Sequence, residues 1–264
     1  MPTTHLELDY LEAGSATPEV VVNTALDSLD AHVERYVPDT TKGFRHSDDF
    51  LGGLLANGGP FVLNSSGTGS GYSGLLANEA GHPGIAEVST GTTTTGYAAA
   101  GSKSAASVFF GSDAWKLRAV FRLPAVSDGT NTYTAQVGFG DTPSSNVQTD
   151  GAMFRYTHSV NGGRWECVTI ANSVETVTDS GVTVAANTWY RVEIEVSAAG
   201  VVTYSLKDGS GALTLEATHS GSAVPTGSSR ATGILVGIGK LAGTTARIME
   251  IDLLEVSCVF GAER

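Results

Sequence analysis

From Phe44 onward, apolar and polar residues alternate with the period of two that a half-buried β-strand requires. In "WKLRAVFRL", Trp115, Leu117, Ala119, Phe121 and Leu123 share one face, while Lys116, Arg118 and Arg122 share the other. "TWYRVEIEV" repeats the pattern, with Tyr190, Val192, Ile194 and Val196 inward and Arg191, Glu193 and Glu195 outward. "VVTYSLKDGSGALTLEAT" predicts a hairpin turning at Asp208-Gly209-Ser210-Gly211. "NTYTAQVGFG", "GAMFRYTH", "RWECVTIA", "ETVTDSGVTV", "ATGILVGIGK" and "ARIMEIDLLEVSCVF" read as further strands. About ten strands at short spacing, with no helix among them, predict two packed antiparallel sheets.

"HPGIAEVSTGTTTTGYAA", residues 82–99, has the composition of a spacer, yet it opens on a turn signal and then alternates. Ala86 and Val88 oppose Ile85, Glu87 and Ser89, and β-branched Thr suits a pleated surface. Gly91 and Gly96 bracket a turn or bulge. The stretch therefore belongs to the sheets.

Residues 1–43 follow another rule. Thr17 as N-cap, Pro18 at the first helical position and Glu19 at the positive end predict a helix over 18–36, stopped by Pro38. Val22, Leu26, Leu29, Val33 and Tyr36 fall at steps of four, three, four and three. That narrow stripe fits an oligomerising coiled-coil seam or a helix docked on its own domain.

Charge and composition narrow the function classes. Only 16% of the 264 residues are charged, and 33 glycines with many Thr and Ser take their place. A formal net charge of −12 argues against nucleic acid or an anionic membrane surface as partner. The longest apolar runs are too short to span a bilayer, and "MPTTHLELDY" lacks the pattern of a secretory signal, so a soluble protein without membrane insertion is expected. Cys167 and Cys258 have no CxxC or Cys/His neighbours; two buried free thiols are the simpler reading, and a single disulfide stays open. His5, His32, His46, His82, His158 and His219 include no i,i+4 pair, so neither a metal nor another cofactor is expected. "DGTNT" and "KDGSG" look like calcium loops but read better as Asp-Gly turns.

Several ordered motifs resemble a known family. "HPGIAEVSTGTTTTGYAAAG" and "DGAMFRYTHSVNGGRWECVTIANSVETVTDSGVTVAANTWYRVEIEVSAAGVVTYSL" are similar to the concanavalin A-like sandwich domains of bacteriophage tail fibres and other phage surface proteins. "LEAGSATPEVVVNTALDSLDAHV" resembles, more loosely, a segment that opens other phage structural proteins. After Tyr204 the chain departs from that pattern, with the longer turn "KDGSGAL" where an Asn-Gly hairpin is common. The resemblance implies an attachment and oligomerisation segment over 1–43, then a concanavalin A-like jelly-roll β-sandwich over 44–264. It also implies a virion-surface location after synthesis in the host cytoplasm, other virion subunits as partners, a homo-oligomer (a trimer by family expectation) and host surface glycan as ligand. A binder without covalent chemistry is the expectation, with a purely structural decoration or connector as the alternative.

Two groups of residues could carry chemistry. Glycan sites pair an aromatic ring with polar groups that fix hydroxyls. Tyr156, His158, Asn161, Arg164 and Trp165 lie around one hairpin turn, with Trp189 as a second ring; Tyr156 and Trp165 could equally be an ordinary cross-strand pair. "EIDLLE" matches the E-x-D-x-x-E signature of retaining β-glucan hydrolases, with Glu250 and Glu255 as nucleophile and acid/base and Asp252 between them. That chemistry needs carboxyls about 5–5.5 Å apart, and on a flat strand Glu255 would point away from the other two. Only a β-bulge near Leu253-Leu254 would bring the three together.

Overall fold

The computed structural model describes residues 41–50, 61–75, 79–105, 107–207 and 212–262. The helix expected over 18–36, the seam from Val22 to Tyr36 and the turn at 208–211 lie outside the described residues. Among the described residues the chain forms strands β1 (Gly43–Asp48), β2 (Val62–Ser66), β3 (Gly71–Leu75), β4 (Ala86–Ser89), β5 (Tyr97–Gly101), β6 (Ala114–Arg122), β7 (Thr132–Gly140) and β8 (Gly151–Thr157). These are followed by β9 (Arg164–Ala171), β10 (Val174–Thr183), β11 (Trp189–Val196), β12 (Val202–Lys207), β13 (Leu213–His219), β14 (Gly233–Ala242) and β15 (Ile248–Val259). Two short 3₁₀ turns, Val160–Gly162 and Gly221–Ala223, interrupt them.

The strands build two sheets. Sheet A runs β13-β12-β11-β6-β15-β4-β3, with β1 continuing beside β15 beyond the end of β4; sheet B runs β10-β9-β8-β7-β14-β5-β2. The inward residues of β6 and β11 are those that alternation predicts, and they pack against Tyr133, Val137, Phe139, Phe154, Val236 and Ile238 of sheet B in one core. His219, on the edge strand of sheet A, meets Thr169 Oγ1 at 2.8 Å and Thr178 Oγ1 at 2.9 Å on sheet B, and so ties the two edges together.

Residues 82–99 cross between the sheets rather than lying in one. β4 pairs with β15 in sheet A, and β5 pairs with β14 in sheet B. The intervening turn needs glycine at both ends: Gly91 has φ +65°, and a Cβ on Gly96 would collide with the Thr90 carbonyl. "DGTNT" is a turn as expected, with Asp128 Oδ1 accepting from the Thr130 and Asn131 amides at 2.8 and 2.7 Å. Those two bonds, with the Arg247 ion pair, hold the Asp128 carboxyl down at about 2.

The outer faces differ. Over sheet B the chain folds its own 141–150 loop: Gln136 donates to the Asn146 carbonyl at 3.0 Å and Tyr97 Oη to the Pro143 carbonyl at 3.0 Å. The outer face of sheet A instead presents the charged residues of β6, β11 and β15, and the candidate chemistry lies there.

Candidate functional site

The hairpin "FRYTHSVNGGRW" does not form an aromatic surface site. Tyr156 and Trp165 occupy inward positions of β8 and β9, and both are buried in the core. Trp165 meets Phe121, Tyr190 and Tyr156 edge-on, with ring centroids 5.5, 5.5 and 6.1 Å apart. This corrects their assignment as glycan contacts: alternation had room for either face, and packing puts both rings inside. Asn161 and Arg164 are exposed and His158 is half-buried beside them. Asn161 donates to Glu166 on β9, and Arg164 pairs with Asp179 on β10 at 2.9 Å, so their polar groups are already engaged by the sheet.

The motif "EIDLLE" does contain a bulge. Ile251 stands opposite Phe121 and Leu253 opposite Val120, so Asp252 is the extra residue. Inward positions switch from Met249 and Ile251 to Leu254, Val256 and Cys258, and Glu250, Asp252 and Glu255 come to share the outer face. Each carboxylate is held separately. Glu250 pairs with Arg122, Asp252 with His82 at 2.9 Å, and Glu255 with both Arg45 and Arg118. Arg122 and Arg118, opposite the two glutamates, are four residues apart on β6, or about 13 Å of strand.

Around Glu250 the structure gathers a second set of residues from distant parts of the sequence. Arg122 stands directly opposite Trp189 on one neighbouring strand and Glu250 on the other. Its guanidinium lies 4.6 Å from the centroid of the Trp189 ring, bonds to Glu250 through Nε, and donates from Nη1 to Glu79 at 2.7 Å. Glu79 also accepts from Trp189 Nε1 at 3.2 Å, and this bond, reinforced by Arg122, lowers its carboxyl pKa. His82 stacks on Trp189 at 4.0 Å with an interplanar angle of 17° while its Nδ1 meets Asp252.

Glu79 and His82 are the two ends of one tight turn. They exchange backbone bonds of 3.1 and 2.9 Å, and Gly81 supplies the φ of +85° between them. The turn reaches across sheet A to β6, β11 and β15, so Trp189, Arg122, Glu250 and Asp252 become one cluster. Asp252 Oδ1 is buried there without a hydrogen-bond partner among the described residues. Sequence reasoning named Trp189, Glu250 and Asp252 in two unrelated roles and missed Glu79 and the part played by His82 and Arg122. Their local signal was the turn sequence "EAGHPG" and the outward position of Arg122; nothing in the sequence places either beside Trp189.

Farther along the same face the charges form a ladder. Lys116 bridges Glu193 at 2.8 Å and also pairs with Glu195, while Arg118 joins Glu193 to Glu255. Burial opposes ionisation of Glu193, but the bonds from Lys116 and Arg118 prevail and hold it well below the usual carboxylate range. A shallow depression of about 380 Å³ at the Trp115 end, lined by Lys116, Glu195, Thr203 and Val259, contains none of the Trp189 cluster.

Among the described residues, no group of three or more His, Cys, Asp or Glu is placed to hold a metal ion. No helix there is long and apolar enough to cross a membrane. Cys167 and Cys258 form no disulfide with one another and are buried in opposite sheets, and burial pushes the Cys167 thiol up to about 12.

The family model described as SO2946-like, C-terminal domain, matches residues 81–252. The chain is similar in structure to SO2946, a protein of unknown function from Shewanella oneidensis MR-1, with a TM-score of 0.64 and 20% identity over 84% of this chain and 89% of that one. It is similar also to a peanut lectin solved with a nonapeptide, with a TM-score of 0.52 and 9% identity over 83% and 98% of the two chains. An endo-1,3-beta-glucanase from Streptomyces sioyaensis aligns with a TM-score of 0.50 and 9% identity over 85% and 98%. At these identities the likeness concerns the fold, a lectin-like, concanavalin A-like sandwich. None of the curated proteins matches the sequence.

Proposed function

The chain belongs to the SO2946-like C-terminal domain family, and from its ordered motifs and its outer-face site we propose that it is a surface component of a bacteriophage or phage-like particle whose sandwich binds host surface polysaccharide. In this reading residues 1–43 attach it to other virion subunits and assemble a homo-oligomer, with three chains the expected number. The ordered motifs from His82 to Leu206 support the particle assignment.

One observation carries the binding role: the Trp189 cluster on the outer face of sheet A. It joins an aromatic ring that is only half-buried to an arginine, a histidine and an acidic acceptor, Glu79, whose side chain is 41% exposed. Hydroxyl-rich ligands are recognised by that combination of apolar surface and fixed donors and acceptors. His82 stacks on the ring and Arg122 lies over it, so a sugar would meet the remaining exposed part of the indole beside Glu79, where the 79–82 turn crosses the sheet.

A panel of bacterial surface polysaccharides, scored for retention of the protein, tests this reading. Trp189→Ala is expected to weaken retention about 30-fold or more, the effect of losing a contact worth ~2 kcal/mol, whereas Arg164→Ala leaves it unchanged. Loss with Arg164→Ala and not with Trp189→Ala would return the site to the 158–164 turn. Retention of no glycan in the panel would favour the decoration role.

The bulge at Asp252 supports a second reading, a depolymerase, because it puts Glu250, Asp252 and Glu255 on one face. Their separate clamping by Arg122, His82, Arg45 and Arg118 weighs against it. Release of reducing ends from the same panel, abolished by Glu250→Gln in a folded protein, would establish the enzyme over the binder.

A further inference from the structure

At the same end of the sandwich, but between the sheets, lie two cations that neither reading uses. Lys240 continues the inward row of Ile234, Val236 and Ile238 on β14, and Arg247 precedes the inward row of Met249 and Ile251 on β15. Both lie near the 90–96 turn: Lys240 Nζ donates to the Gly91 carbonyl at 2.6 Å, and the Arg247 amide donates to Thr90 Oγ1 at 3.0 Å. Lys240 is 4% exposed and Arg247 8%.

Their hydrogen bonding is incomplete. An ammonium has three donors, and the Gly91 carbonyl is the one acceptor that Lys240 Nζ meets among the described residues. No carboxylate there pairs with it. Arg247 reaches Asp128 through Nη2, but its buried Nε has no partner among the described residues. Burial, and then the like charge of Arg247, lower the Lys240 pKa. With Asp128 paired to Arg247, the group keeps one net positive charge and unmet donors away from water, which is unfavourable unless a further opposite charge joins it.

We propose that this end of the sandwich binds a small anion, a carboxylate, sulfate or phosphate group, between the Lys240 ammonium and the Arg247 guanidinium. The anion accepts the free Lys240 donors and the orphaned Arg247 Nε–H. It locks the 90–96 crossover onto β14 and β15, joining the two sheets where the chain passes between them. The inference stands on these two residues and does not depend on the Trp189 cluster.

The test is thermal unfolding of the full chain in rising sodium sulfate, phosphate or acetate, with sodium chloride at matched ionic strength as reference. A bound anion gives a saturable rise in the midpoint, about 3–6 °C at ten times Kd, where a general salt effect is linear and unsaturated. Lys240→Met, which keeps apolar bulk, is expected to lose the saturable part, and Lys240→Arg to keep it. Sodium glucuronate with neutral glucose as control separates the sources: a saturable rise with glucuronate assigns the site to an acidic sugar, and one with the inorganic ions alone to a free anion. Linear curves in the wild type, or identical curves in wild type and Lys240→Met, would overturn the proposal. The shape of the wild-type curve decides even if the Met variant fails to fold.

Discussion

Replacing Trp165 with alanine separates a core ring from a ligand platform. Trp165 has no exposed surface and meets three aromatic rings edge-on. Burying about 200 Å² at ~25 cal/mol per Å² gives about 5 kcal/mol, an upper figure because unfolded chains already hide some surface. The edge-on pairs add roughly 0.5–1.5 kcal/mol each. Against this, the buried indole Nε1 meets no acceptor among the described residues, a cost of about 1–3 kcal/mol that alanine removes. These terms sum to roughly 3.5–8.5 kcal/mol before the burial figure is discounted, so the net loss is expected to be at least about 4 kcal/mol, reaching the range for buried Trp→Ala changes. In a urea titration with an m-value of about 2.5 kcal/mol per M, the midpoint falls by roughly 1.5 M or more. Trp165→Phe, which removes the orphaned N–H and keeps a ring, should lose less than half as much. A loss below about 1 kcal/mol for Trp165→Ala, accompanied by altered glycan retention, would refute the packing argument and put the ring back at the surface.

Arg122→Ala strips the ion-pair partner from the nearly buried Glu250 and is expected to cost about 2–4 kcal/mol by denaturant unfolding. Arg45→Ala, at an exposed arginine whose partner Glu255 keeps Arg118, should cost under ~1 kcal/mol; equal losses would contradict the burial argument. Burial lowers the His219 pKa, so the unfolded chain binds the proton more readily than the folded one. Its contribution to stability is therefore complete above the unfolded value of about 6.5 and declines as pH falls below it. His219→Gln should flatten that part of a stability-versus-pH curve, and an unchanged slope would rule His219 out as its source. Neither cysteine should react with a thiol reagent within minutes in the native protein, whereas both should react in denaturant; one native-state equivalent would show a thiol within reach of solvent.

Period-two alternation by itself determined the strands, because a residue's face depends only on its place in its own strand. The inward rows of β6 and β11 were legible for that reason, and so was the all-β class. The partner sheet of a strand is a long-range fact. The sequence placed residues 82–99 within the sheets, but only packing could send β4 to one and β5 to the other across the Gly91–Gly96 turn. The same limit applied to the candidate site. Tyr156 and Trp165 carried the residue types of a sugar platform, and their burial was decided by rings arriving from β6, β7 and β11. "EIDLLE" showed that a bulge could align three carboxylates, whereas its arginine and histidine partners come from up to 210 positions away. The Trp189 cluster draws on four separated segments, around residues 79–82, 122, 189 and 250–252. Local sequence sets a side chain's direction, and only the closed sandwich decides what stands opposite it.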